Sequence, residues 1–158
     1  MHIKKVIGFT CGAFDLFHAG HNVFLRDAKK YCDHLIVGLQ TDPSIDRLEK
    51  NKPVQTMYER YTQLRNCSWV DDIIPYDTEK DLLNLISTTE MHIRFLDEEY
   101  ESKSFTGKFI CEQLNIDIFY LNRKHNFSTS ELRKRIEERS NNNERYQFTP
   151  TESYLLRP

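Results

Sequence analysis

Short, nearly unbroken apolar runs alternate along this chain with segments of helical spacing, and no other feature restricts the fold as much. Residues 5–11 (KVIGFTC) and 34–39 (HLIVGL) are rich in β-branched and aromatic side chains and read as buried strands. Residues 72–75, 91–96 and 117–121 read as three more. Amphipathic segments at 22–31, 57–67, 79–87, 105–114 and 129–139 follow these strands in turn and read as helices. Strands apolar on both faces, each followed by a helix, belong in a parallel sheet covered on both sides. Right-handed crossovers then predict a doubly wound α/β domain with five parallel strands. Ligands of such sheets sit at the carboxyl ends of the strands, so the loops after Cys11, Leu39 and Leu121 matter most.

A length of 158 residues suits one domain with a single core. The domain is predicted over residues 1–139, with a tail at 140–158 that opens on the low-complexity run Ser140-Asn141-Asn142-Asn143. Tyr146, Phe148 and Tyr154 in that tail dock either on the domain or on a partner. A formal net charge of -2 supplies no basic field, so no nucleic-acid partner is expected. No apolar run approaches the roughly 20 residues that cross a bilayer, so membrane insertion is not expected. The amino terminus runs directly into the first strand, and no signal peptide is expected. Cys11, Cys32, Cys67 and Cys111 form no CxxC pair and read as reduced thiols of a cytoplasmic protein.

The loop after the first strand reads Cys11-Gly12-Ala13-Phe14-Asp15-Leu16-Phe17-His18-Ala19-Gly20-His21. Histidines three apart at a helix start share one face, where their ring N–H groups can meet a phosphate at the positive end of the helix dipole. Gly20 lets a phosphate approach the backbone, and Gly12 lets the strand end turn tightly. The plain reading is a pair of polar residues at a helix start. The chemistry such a pair suits is displacement at the α-phosphorus of a nucleoside triphosphate, where catalysis comes from positioning and from donors aimed at growing charge.

Gly12-x-Phe14-Asp15-x-x-His18-x-Gly20-His21 resembles the signature of the HxGH nucleotidyltransferase superfamily. Within it the chain is most similar to the cytidylyltransferases, in particular the glycerol-3-phosphate cytidylyltransferases. The second motif of that family, Arg-Thr-Glu-Gly-Ile-Ser-Thr-Thr, is matched by Arg123-Lys124-His125-Asn126-Phe127-Ser128-Thr129-Ser130, with His125 and Asn126 in place of Glu and Gly. The resemblance implies a Rossmann-like fold, a homodimer, and CTP with Mg²⁺ or another divalent cation. It assigns catalysis to His18, His21 and Arg123. It assigns the nucleotide to Gly12, Ala13, Phe14, Gly20, Ser128, Thr129 and Ser130; Ala13 stands where close relatives have Thr. Capping of the last helix by Ser128 or Thr129 is compatible with that role.

Softer matches follow from the same resemblance. Lys50 and Lys52 are either phosphate-reaching lysines or a solvated charged loop. Asp15, Asp42, Arg60, Glu98 and Tyr100 are assigned to the acceptor. Glu98 or Glu99 joins the triphosphate around Mg²⁺, or else forms a turn with solvated carboxylates. The activity expected is transfer of CMP from CTP to a small phosphorylated alcohol, glycerol 3-phosphate first, with release of pyrophosphate. The alternative is an adenylyltransferase that uses ATP and a phosphorylated cofactor precursor. A phosphate-binding domain without catalysis is the rival of another class.

Overall fold

A computed structural model describes residues 5–122 and 124–141. The first strand is the central one of its sheet. β1 (Ile7–Gly12) is followed by α1 (Ala19–Lys29), β2 (His34–Gln40), α2 (Met57–Arg65) and β3 (Asp72–Tyr76). Then come α3 (Glu79–Thr88), β4 (Ile93–Asp97), α4 (Lys108–Gln113), β5 (Asp117–Leu121) and α5 (Thr129–Asn141). All pairings are parallel and the strand order is β3-β2-β1-β4-β5. The chain therefore winds outward from β1 on one side, then crosses to β4 and winds outward on the other. Between β1 and β4 lies the switch point, where the crevice of a doubly wound sheet opens.

Alternation along the strands divides the apolar side chains between two layers. Phe14, Leu25, Ala28, Val37, Leu64 and Phe95 pack on the α1 and α2 face. Phe9, Ile36, Leu82, Ile86, Met91 and Cys111 pack on the α3 and α4 face. Pro75, which cannot donate to a ladder, is tolerated because β3 is an edge strand. All four cysteines are free thiols. No helix among the described residues is long and apolar enough to cross a membrane.

Two helix starts differ from the sequence reading. α1 begins at Ala19, three residues before the apolar spacing does, because His18 acts as its N-cap, a place usually held by Ser, Thr, Asp or Asn. α4 begins at Lys108 and not at 105, because Gly107 takes a left-handed φ of 83° that a helix interior does not allow. α5 runs to Asn141, two residues into the predicted tail, and residues 142–158 lie outside the described part.

Candidate active site at the switch point

The loop from Ala13 to His18 connects β1 to α1 across the mouth of the crevice. Phe14 and Leu16 sit there at φ 48° and 50°, in the left-handed region that side chains other than glycine disfavour. What holds that backbone is Asp15. Its side chain is 7 % exposed, and its two carboxylate oxygens accept the amides of Val54 and Gln55, each at 2.9 Å. Arg133 of α5 adds an ion pair at 2.7 Å, and the Leu16 amide donates to Gln55 Oε1 at 2.7 Å. Burial pushes the Asp15 carboxyl up, but the two amides and the guanidinium outweigh it and hold the carboxyl below its usual range.

His18 then closes the loop onto α1. The Gly20 amide donates to His18 Nδ1 at 3.0 Å, and the His18 amide donates to His21 Nδ1 at 3.4 Å, a reciprocal capping box made of two imidazoles. The rings stack with centroids 3.9 Å apart, and His21 also lies 5.1 Å from the Phe14 ring and 5.5 Å from Phe17. With Nδ1 of His18 accepting, its ring proton belongs on Nε2. That nitrogen lies 3.3 Å from Thr129 Oγ1, which itself donates to the Asp15 carbonyl at 3.1 Å. The amino ends of α1 and α5 thus meet through one imidazole and one hydroxyl. Both helix dipoles turn their positive ends toward the crevice.

Gly20 is tied to the same junction. A Cβ there would lie 2.8 Å from the Phe127 carbonyl oxygen and 2.8 Å from His18 Cε1, so the approach of α1 to the loop before α5 requires glycine. Around this junction opens a cavity of about 630 Å³, lined by Gly12, His18, His21, Lys50, Arg94 and Thr129 among others. A cavity of that size accommodates a nucleotide with a small partner.

The sequence profile of the cytidylyltransferase-like family matches residues 9–135. The chain belongs to that family. Among curated proteins, the bifunctional protein HldE of Campylobacter jejuni (strain 81116) is 34 % identical over 137 residues, 86 % of this chain and 28 % of that protein. The HldE of Caulobacter sp. (strain K31) is 41 % identical over 102 residues, 64 % of this chain and 21 % of its own length. This cytidylyltransferase-like chain therefore spans roughly a quarter of the relatives it matches. A solved structure, the lipopolysaccharide core biosynthesis protein of Thermoplasma volcanium, shares the fold with a TM-score of 0.61. It is 22 % identical over 78 % of this chain and 99 % of its own. Pantoate-beta-alanine ligase from Francisella tularensis follows at 0.52, with 15 % identity over 87 % and 72 %.

Within this cytidylyltransferase-like domain the structure sorts the residues named from sequence. Gly12, Ala13, Phe14, His18, Gly20, His21, Lys50, Tyr100 and Thr129 line the cavity. Arg123 lies outside the described residues. Ser128 caps α5 by accepting the Glu131 amide at 3.1 Å, and Ser130 is exposed on that helix. The Lys52 side chain and Glu98 are not part of the cavity lining.

Three residues assigned to the acceptor have structural partners of their own. Asp15 is the clamp just described, with both oxygens taken. Arg60 is 2 % exposed and donates to the carbonyls of Ala13, Gln40, Thr41 and Gln55, so it ties the ends of β1 and β2 together instead of facing a ligand. Asp42 closes its own turn, accepting the Ser44 amide at 2.9 Å and the Ser44 hydroxyl at 2.6 Å.

Other residues of the wall went unread. Arg94, Arg47, Glu79 and Tyr76 all line the cavity. Arg94 alone carried a signal, as a charged residue inside the apolar run IRFL of β4. Among the described residues no group of three or more His, Cys, Asp or Glu gathers to hold a metal. Glu99, on the cavity wall, is a carboxylate that would meet a divalent cation arriving on a triphosphate. Bound there, the cation would supply neutralisation of phosphate charge.

Proposed function

We propose that this domain transfers AMP from ATP to a small phosphorylated sugar, releasing pyrophosphate. The observation that carries nucleotidyl transfer is the His18–Thr129 contact at 3.3 Å, which joins two helix amino ends at the switch-point cavity. In this reading the β- and γ-phosphates lie at those helix ends, in a cavity that Lys50 also lines. The acceptor phosphate, ionised at neutral pH, attacks the α-phosphorus directly. One P–O bond forms to the acceptor, the α–β bridging bond breaks, and pyrophosphate leaves with the electron pair. No general base is required, so His21, and His18 once its Nε2–H turns from Thr129 Oγ1 to phosphate, act as donors to charge growing on the equatorial oxygens.

ATP is preferred over CTP for a specific reason. The case for CTP rested on likeness to glycerol-3-phosphate cytidylyltransferases, whereas the curated relatives matched are named bifunctional protein HldE. Adenylyl transfer is the other branch the superfamily resemblance allows. A sugar is favoured by Tyr100, Ser104 and Thr106 on the cavity wall, whose hydroxyls pair with those of a sugar. CTP remains the second reading, supported by the cytidylyltransferase-like family itself.

Pyrophosphate release decides between them. The chain is incubated with Mg²⁺, each of the four common nucleoside triphosphates, and a panel of sugar phosphates and polyol phosphates that includes glycerol 3-phosphate. ATP with a sugar phosphate is expected to give the highest kcat/KM. Turnover with CTP and glycerol 3-phosphate alone would restore the second reading.

A further inference from the structure

Arg94 is a buried cation that the nucleotide end of the cavity does not use. It leaves β4 on the face opposite Phe95, toward α4, and is 2 % exposed. Nη1 donates to the Thr106 carbonyl at 2.6 Å and lies 3.9 Å from Cys111 Sγ. Among the described residues Nη2 meets only Cys11 Sγ, at 3.8 Å, and the guanidinium stands over the Phe105 ring at 5.2 Å. Nε has no hydrogen-bond partner among the described residues. Two carboxylates of the cavity wall are engaged elsewhere, Glu79 with Arg47 at 3.2 Å and Glu99 with Lys103 at 3.3 Å.

A buried guanidinium facing weak thiol acceptors and no carboxylate is costly unless an anion offsets it. Cys11 does not supply that charge. Burial pushes its thiol up, and the opposing pull of Arg94 is the smaller effect. What is left unsatisfied on Arg94 is the Nε–Nη2 edge, buried beside the cavity with Nε unpaired and Nη2 against a thiol; it is the side that grips two oxygens of one oxyanion. The residues around it (Cys11, Phe105 and Thr106) line the same cavity as His18. Gly107, at φ 83°, gives the guanidinium its room, since a Cβ there would come within 2.8 Å of Nη1.

We propose that the Nε–Nη2 edge of Arg94 binds the phosphate of the acceptor and sets which acceptors are taken. The inference rests on the transfer reading above and adds the group that selects its second substrate. The triphosphate is claimed by the amino ends of α1 and α5, whereas Arg94 approaches the cavity from the α3 and α4 face.

The test uses the whole chain and compares wild type with Arg94→Gln, Arg94→Lys and Arg94→Met. Arg94→Gln is expected to raise KM for the sugar phosphate at least tenfold and leave KM for ATP within twofold, with Arg94→Lys between them. Independently of turnover, inorganic phosphate is titrated calorimetrically into protein saturated with α,β-methylene-ATP. Wild type is expected to bind it and Arg94→Gln to lose at least tenfold in affinity. Arg94→Met is expected to melt no lower than wild type, because it removes a buried charge without a counter-charge.

A raised KM for ATP, equal phosphate affinity in wild type and Arg94→Gln, or a lower melting point with unchanged phosphate affinity would each overturn the proposal. Absence of transfer with every acceptor, while phosphate binding still depends on Arg94, would remove the transfer reading and leave the anion site standing.

Discussion

At the scale of single residues, His18 serves structure and chemistry at once. It caps α1 through Nδ1 and meets Thr129 through Nε2, so removing it costs about 1 kcal/mol of helix capping as well as a donor in the crevice. The two contributions separate by substitution. His18→Asn restores a good N-cap without an imidazole, so its melting temperature is expected near that of wild type. Its kcat should still fall by about 10²–10³, the usual loss when one donor to the transition state is removed. His21→Ala is expected to lose a similar factor, and Thr129→Val about tenfold, because the ring then has no hydroxyl to orient it. Near-normal kcat in His18→Asn would mean that the ring only caps. The pair itself was legible in the sequence, because HxGH spacing puts two rings on one helical face. Its use as a capping box was not, because histidine is not the residue expected there.

The element whose position depends most on polar contacts is α5. It has no buried residue. Its polar attachments to the rest of the domain include Thr129 to the Asp15 carbonyl and to His18 Nε2, and Arg133 to the Asp15 carboxylate and, at 3.4 Å, the Lys52 carbonyl. Asp15 therefore links the strained β1–α1 loop, residues 54 and 55, and the helix that carries the second motif. Asp15→Asn keeps the shape but loses the charge, and is expected to destabilise the fold by about 2–4 kcal/mol, since it leaves Arg133 without its partner. Hydrogen exchange in α5 should rise more than in β1 or β2. Uniform exchange across the domain would count against this clamp. The helix itself was read correctly from Ser128 and Thr129, yet nothing in a linear sequence announces that Asp15 and Arg133 meet across 118 positions. Spacing along one element is visible in a sequence, whereas pairing between elements waits on the fold.

At the scale of the whole molecule, the alternation of apolar runs and amphipathic segments was enough for the sheet class, because parallel strands covered on both faces leave that mark. The cavity wall was less legible. Arg94 and Arg60 come from a strand and a helix, and only packing makes one a wall residue and the other a tie between strand ends. Acid stability should follow from the carboxylates as a group. Asp15, Asp27, Asp42, Glu59, Asp71 and Asp81 are all held below their usual range. Groups depressed in the folded state stabilise it fully above the unfolded value of about 4, and that contribution is lost as pH falls through their folded values. Urea midpoints are expected to change little on account of these groups from about pH 7 to 5 and to drop below about pH 4, less steeply in Asp15→Asn; a midpoint that rises on acidification would refute it.

The central claim is that a triphosphate is held where the amino ends of α1 and α5 meet. Side-chain ¹⁵N spectra of the histidines, recorded while α,β-methylene-ATP and Mg²⁺ are added, test it most directly. The account requires His18 and His21 to shift together at saturation, with the response of His18 diminished in Thr129→Val. Saturable binding that leaves both rings unmoved and instead perturbs His34 and His92, at the opposite end of the sheet, would contradict it.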